Sequence, residues 1–298
     1  MRLPLSTRTK FVGLLFVLPS LLFLFAFFVY PILRSVYISF FDYSVGRDLI
    51  PAGWSNYGAI LTDPGFWHSG YITLRYAVSA LVLELLGGLI FALTYSRLKA
   101  TRYLRGILII PLVIPIPIFA AIWQYIYNPQ YGLLNGFLQS LGFTGQPIYL
   151  TDPDRSLISI VVAQTTWVVF VVMFLLIAGM QGIRNEYYEA ARIDGAGSTQ
   201  QFFKITLPLL KPTLTFIVIF RMMDLMQAFT TIYLMMSTAT GTAVTRDTRV
   251  WSIMIYREAF MRFQLGSAAS MSLIVFMFIL VLIVLYLWAS KTYESSLE

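Results

Sequence analysis

A chain of 298 residues with 58% hydrophobic and 12% charged residues is too apolar for a soluble domain, where about a quarter of residues carry charge. With no cysteine and a single histidine, His68, disulfides, iron–sulfur clusters and thiolate or histidine-rich metal sites are excluded. The net charge of +7 falls mostly in loops that belong at cytoplasmic lipid headgroups, and it needs no nucleic acid to explain it.

Six apolar runs reach the ~20 residues that a bilayer crossing needs, near 11–30, 72–95, 107–127, 158–180, 213–236 and 268–290. The expectation is an all-α integral membrane protein, a six-transmembrane-helix bundle forming one folding unit over 1–298. The first run follows Arg2, Arg8 and Lys10 as in a secretory signal. It is longer than a signal's apolar region and ends Val-Tyr-Pro without a cleavage site, so it is expected to stay as an anchor. Short loops rich in Lys and Arg stay cytoplasmic. Loop 96–106 has Arg97, Lys99, Arg102 and Arg105, and loop 181–211 has Arg184, Arg192, Lys204 and Lys211. The intervening loops 31–71 and 128–157 have only Arg34 and Arg47, and Arg155. Loop 237–267 carries four arginines and breaks the pattern, but the best solution still places both termini inside the cell.

In the second span, Glu84 precedes Gly87 and Gly88 by about one turn, so it is expected to bond across a close helix contact. In the third, Pro111, Pro115 and Pro117 remove backbone donors at mid-membrane, which predicts a kinked helix facing protein or water rather than lipid. Trp123 and Tyr127 would offer flat apolar faces to a bound solute. Trp167, about ten residues into the fourth span, lies too deep for the interfacial aromatic belt, and Gln164 shares its face. Trp251, Tyr256 and Trp288 are expected in that belt.

The stretch 184–212 is the one well-charged island of any length. Glu186 to Ile193 is rich in helix formers, with Asn185 placed to cap it. Asp194, Gly195, Ala196 and Gly197 make a turn. Ser198 with Gln201 predicts a capping box opening a second helix, which Pro208 and Pro212 bring to its end. Two readings stay level on composition alone: a contact surface for another protein, or an amphipathic loop lying on headgroups by Phe202, Phe203, Lys204 and Lys211.

Past this island, Arg221 lies nine residues beyond Pro212, at 1.5 Å per residue about 14 Å in, near the bilayer centre. Asp224 and Gln227 follow at three-residue intervals on the same face, and Arg221 can pair with Asp224. Because an ionisable group in a span costs roughly 2.5–3.5 kcal/mol unless paired or wet, the stripe either lines a transport path or pins the span to a neighbour. No nucleotide-cradling or hydrolytic motif is present in the chain, so it is not expected to be an enzyme.

Glu189-Ala190-Ala191, Asp194-Gly195-Ala196 and Ile205-Thr206-Leu207-Pro208, at their spacing and between two spans, resemble the cytoplasmic EAA loop of permease subunits of bacterial ABC importers. The run Arg105 to Gly142, the stretch Phe220 to Tyr233 and Leu265-Gly266-Ser267-Ala268 resemble the carbohydrate-uptake type. The resemblance implies a multi-pass permease of the bacterial cytoplasmic (inner) membrane that translocates a sugar or oligosaccharide. Its partners would be a second permease, identical or homologous, two cytoplasmic ABC ATPase subunits that bind the ATP and Mg, an extracytoplasmic solute-binding protein, and membrane lipid. By the same likeness Glu189, Ala190, Ala191, Asp194, Gly195, Ala196, Leu207 and Pro208 couple the chain to the ATPase. The expected path is Arg221, Asp224, Gln227, Trp167, Gln164, Trp123 and Tyr127. Glycerol phosphate, a glycerophosphodiester or a polyol is the alternative cargo, since Arg221 would suit a phosphate. Two other classes remain: an ion-coupled secondary transporter relaying through Glu84, Arg221 and Asp224, or a receptor that merely binds an ATPase.

Overall fold

The computed structural model describes residues 7–97, 101–143, 149–150, 152–239 and 248–295. Arg2, Lys99 and Arg246, which bear on orientation, lie outside them. Among the described residues four helices are long and apolar enough to cross a membrane: Val12–Ser39, Pro64–Ser96, Arg155–Gln181 and Leu265–Ser290. Two bent helix pairs would bring the number to six if each is one crossing: Gly106–Val113 with Ile116–Ile126 at 96°, and Ser198–Leu209 with Lys211–Met226 at 61°. Contacts divide the chain into two compact units, 1–64 with 255–278, and 65–254 with 279–298.

In the first unit, α1 (Thr7–Leu24) runs through a π-turn, Phe25–Val29, into α2 (Tyr30–Ser39). Among the described residues, a short ribbon, β1 (Phe41–Asp42) antiparallel to β2 (Ile50–Pro51), and a bridge between Ser44 and Gln264 add to the all-α expectation. Helix α3 (Ser55–Thr62) anchors the ribbon, because Asn56 Nδ2 donates to the carbonyls of Ser39 (2.8 Å) and Phe41 (2.9 Å). Ser270 also donates to Ser39 O at 2.9 Å. Gly266 lies so close to Phe41 O that any β-carbon would collide with it.

The second unit is built on α4 (Pro64–Arg97) and α8 (Pro153–Gln181), with α5 (Thr101–Val113), α6 (Ile116–Ile126) and α7 (Leu133–Ser140) between them. More than half of the apolar window of α8 is buried, against none of the first crossing, so α8 is the central staff. Val168, Val172, Met173 and Leu176 pack with Ala92 and Ile217. A β-carbon on Gly87 would stand 2.8 Å from Val169, and one on Gly88 2.6 Å from Val172. These glycines therefore bring α4 and α8 together by small-residue packing.

After α8 come α9 (Asn185–Ile193), α10 (Ser198–Gln201), α11 (Leu207–Leu209), α12 (Lys211–Met226), α13 (Thr230–Ala239) and α14 (Trp251–Tyr256). The last helix is α15 (Leu265–Ser295). The fifth expected span, 213–236, is thus broken where α12 ends at Met226, and α13 packs on α6, with Gln124 Nε2 donating to Leu234 O at 2.7 Å. The third span does more than kink. Pro115 takes an extended ψ of 140° and the chain turns sharply there. Phe119 and Ala120 of α6 are buried, but Ile107, Ile110 and Val113 of α5 stay exposed within this chain, so the interior position expected for this span holds only for its second half. Trp251 is no belt residue. It is 2% exposed, its ring lies against Gly70, and its Nε1 donates to Phe66 O at 2.9 Å. Trp288 is exposed.

Candidate functional site

Two features stand out: the helical hairpin of α9 to α11, and an ion triad between α4 and α12. In the hairpin, Arg184 is the extended residue before α9 and Asn185 is already helical, so the expected asparagine cap is absent. The far end is closed more firmly. Gly195, at φ +78°, donates to Arg192 O (3.1 Å), and Ala196 N–H to Ala191 O (2.8 Å). These are the two bonds of a Schellman motif. Its left-handed residue is the physical reason for glycine at 195.

The second helix starts one residue earlier than the expected box. Gly197 N–H donates to Gln200 Oε1 at 3.2 Å, and glycine has no side chain to return the bond, so half a capping box remains. Gln201 Nε2 reaches back to Ala196 O at 2.8 Å. Tyr188 OH and Thr206 Oγ1, 3.0 Å apart, tie the two helices together. The helix ends at Leu209, between Pro208 and Pro212 as expected, and Pro208 is accommodated in the last turn because Phe202–Thr206 is wound as a π-turn just ahead of the ring that lacks an N–H. Pro212 lies in the first turn of α12, where a missing N–H leaves no intrahelical bond unmade.

The inner side of α9, Tyr188 and Ala191, is half buried. Glu189, Ala190, Asp194 and Gly195 are exposed, and so is Pro208, while Ala196 and Leu207 are half buried. Ile193 is 86% exposed. Behind the hairpin lies a cavity of about 640 Å³ lined by Leu93, Ser96, Met180, Tyr188, Phe202 and Thr206 among others.

In the triad, Arg221 is 4% exposed. Its Nε and Nη2 donate to the two oxygens of Glu84 at 2.8 and 2.9 Å, and its Nη1 donates to Asp224 Oδ2 at 2.5 Å. Asp224 joins as expected from its i,i+3 spacing, yet its side chain is 61% exposed. Glu84 bonds between helices as expected. Its partner was missed, although two opposite charges deep in separate apolar runs are themselves a signal that they pair. Gln227 is exposed just beyond α12, with Nε2 donating to Met223 O at 3.2 Å.

The aromatic candidates gather around Phe119, whose ring centroid is 6.4 Å from Trp123 and 6.3 Å from Trp167. Tyr127 sits 5.0 Å from Trp123, but its hydroxyl donates to Ser159 O at 3.0 Å. Tyr149 stacks on Tyr127 at 4.9 Å, and burial pushes its phenol above the ordinary range. Gln164 Oε1 accepts from Thr231 Oγ1 of α13 at 2.8 Å. Trp167 Nε1 is buried without a hydrogen-bond partner. Tyr127 and Gln164 thus have polar atoms committed to protein, while the Trp167 donor is uncommitted. Thr231, Ser159 and Gln124 went unread because nothing local in a helix marks its partner across a bundle.

This helical membrane fold is an importer-permease fold. It matches a solved structure of a bacterial ABC transporter involved in the import of the acidic polysaccharide alginate, with a TM-score of 0.82, 19% identity and 96% of each chain covered. The model of the family described as binding-protein-dependent transport system inner membrane component matches residues 84–294. The chain is 34% identical to the trehalose/maltose transport system permease protein MalF of Thermococcus litoralis, over 95% of each. It is 30% identical to the sulfoquinovosyl glycerol transport system permease protein SmoG of Agrobacterium fabrum, over 97% of this chain and 93% of that one. The chain belongs to the family of binding-protein-dependent ABC transporter permeases. It is a multi-pass inner-membrane component of a complex that works with a periplasmic binding protein, which sets aside the secondary-transporter and receptor alternatives.

Proposed function

We propose that this chain forms half of the path through which an ATP-driven importer moves a sugar or oligosaccharide, with both termini and the 184–212 hairpin on the cytoplasmic side. The observation that carries the reading is the hairpin itself. It is held from within by Tyr188–Thr206 and Gln201–Ala196, while Glu189, Ala190 and the bare Ile193 face outward. With Tyr187 and Phe203 also exposed on the same hairpin, its apolar surface is larger than a single side chain and suits burial by a partner. The partner is one of two ATPase subunits, which bind ATP and Mg. Glu189 is the charged contact, Ala190 and Ala191 allow close approach, and Asp194, Gly195 and Ala196 shape the turn. Leu207 and Pro208 pass the motion towards α12. A second permease, identical or homologous, supplies the other half of the path, and a solute-binding protein delivers the cargo from outside.

The path reading rests on Asp224 and Gln227, polar and exposed at the end of an apolar helix. Against lipid they would be costly. Trp123 and Trp167 offer ring faces for the C–H side of a sugar. Arg221, Gln164 and Tyr127 hold the wall in place. Relatives named for trehalose, maltose and sulfoquinovosyl glycerol transport support a glycoside cargo. In a reconstituted transporter, Glu189→Lys is expected to abolish solute-stimulated ATP hydrolysis while the permease chain stays folded, with an unchanged melting temperature of its own. Stimulation equal to wild type would overturn the coupling role.

A further inference from the structure

Family membership leaves the charge of the cargo open, since relatives are named both for neutral disaccharides and for a sulfonated glycoside. Resting on the path reading above, we infer that the Glu84–Arg221–Asp224 triad is a charge filter that favours neutral or cationic solutes and disfavours anionic ones. Arg221 as a bare cation would attract a phosphate or carboxylate. It is not bare. Glu84 takes it with a two-pronged grip at 2.8 and 2.9 Å in a buried site, which matches the charge one for one and uses the fork that would otherwise grip an oxyanion. Asp224 adds a second carboxylate to the same guanidinium. The three formal charges sum to minus one, and the only member turned outward is the carboxylate Asp224, 61% exposed against 5% and 0% for the side chains of Arg221 and Glu84. Whatever passes this wall meets fixed negative charge and hydrogen-bond acceptors. Sugar hydroxyls donate to such acceptors, whereas phosphate, sulfonate or uronate groups are repelled. Glu84 never meets the solute in this arrangement. It is a positioning residue, and its effect is to cancel Arg221 so that the charge of Asp224 is the one felt.

The test reads the local potential and needs no knowledge of the cargo. The chain has no cysteine, so Gln227→Cys places a single thiol three residues from Asp224. In membranes holding the assembled transporter, modification rates of this thiol by a cationic and an anionic methanethiosulfonate are compared with those of a free thiol. One charge about 7 Å away in water, acting oppositely on the two reagents, predicts a cation preference about sevenfold above that of the free thiol. Adding Asp224→Asn should return the ratio to the free-thiol value. Glu84→Gln should lower it as far, a result that a purely structural role for that buried residue would not produce. Should Glu84→Gln fail to assemble, the Asp224→Asn comparison decides alone. A rate ratio equal to that of the free thiol in the Gln227→Cys single variant would overturn the filter and leave the path intact. Failure of both reagents to react in every nucleotide state would overturn the path reading, and the filter with it.

Discussion

A guanidinium in the middle of an apolar helix is tolerable when protein meets both its charge and its N–H groups. Arg221 is met on two sides, by a buried Glu84 from α4 and by Asp224 one turn along its own helix. Removing Glu84 should therefore cost far more than removing Asp224. Glu84→Gln is expected to lower stability by about 3–5 kcal/mol, the cost of leaving a buried charge half-matched. Asp224→Asn, at an exposed partner, should cost about 1 kcal/mol or less. Thermal unfolding in detergent reads both. Glu84→Leu combined with Arg221→Met should lose less than either change alone, because the orphan charge has gone; simple additivity would mean that the two side chains do not act as a pair. The i,i+3 pairing of Arg221 with Asp224 was legible in one helix's periodicity. The pairing with Glu84 was not, since which helix lies beside which is decided by packing across 137 positions of chain. Tyr127 and Gln164 were picked as path residues on type and depth alone, and their bonds to Ser159 and Thr231 show that a polar group in a span is as often committed to a neighbouring helix.

At the scale of elements, the hairpin depends on one backbone conformation. Gly195 has φ +78° while Gly197 has φ −70°, and no atom lies within 4 Å of where a β-carbon would stand at either. The difference between them is conformational and not steric. Gly195→Ala is expected to destabilise the turn by about 1–2 kcal/mol and to weaken ATPase stimulation, while Gly197→Ala should leave both nearly unchanged. Comparable losses at the two positions would mean that the left-handed turn is not what matters. The turn residues were legible because glycine beside aspartate has few other uses. The caps were misplaced by a residue, Arg184 for Asn185 and Gly197 for Ser198, because neighbouring polar residues compete for the same role and the flanking backbone decides between them. The helix ends at Leu209, between Pro208 and Pro212 as expected, but Pro208 itself lies inside the last turn. A π-turn ahead of it absorbs the missing donor, and such a turn leaves no mark in composition.

Across the whole chain, hydropathy located the membrane-length segments, because about 20 apolar residues in a row have few other fates. It could not tell a straight helix from a bent one. The third crossing turns by 96° at Pro115, where proline removes a bond that would hold the helix straight, and the fifth expected span breaks where α12 ends at Met226. Nor did it separate a buried tryptophan from an interfacial one. Trp251 was expected at the headgroups and is instead the plug that Gly70 makes room for. The central claim is that the hairpin between α8 and α12 is the handle an ATPase grips from inside the cell, and Ile193, bare within its own chain, reports on it directly. In the cysteine-free chain, Ile193→Cys should react with a membrane-impermeant maleimide only in inside-out vesicles. The reaction should slow at least tenfold when the ATPase subunits are co-assembled. Labelling from the periplasmic side, or an unchanged rate with the ATPase in place, would contradict it.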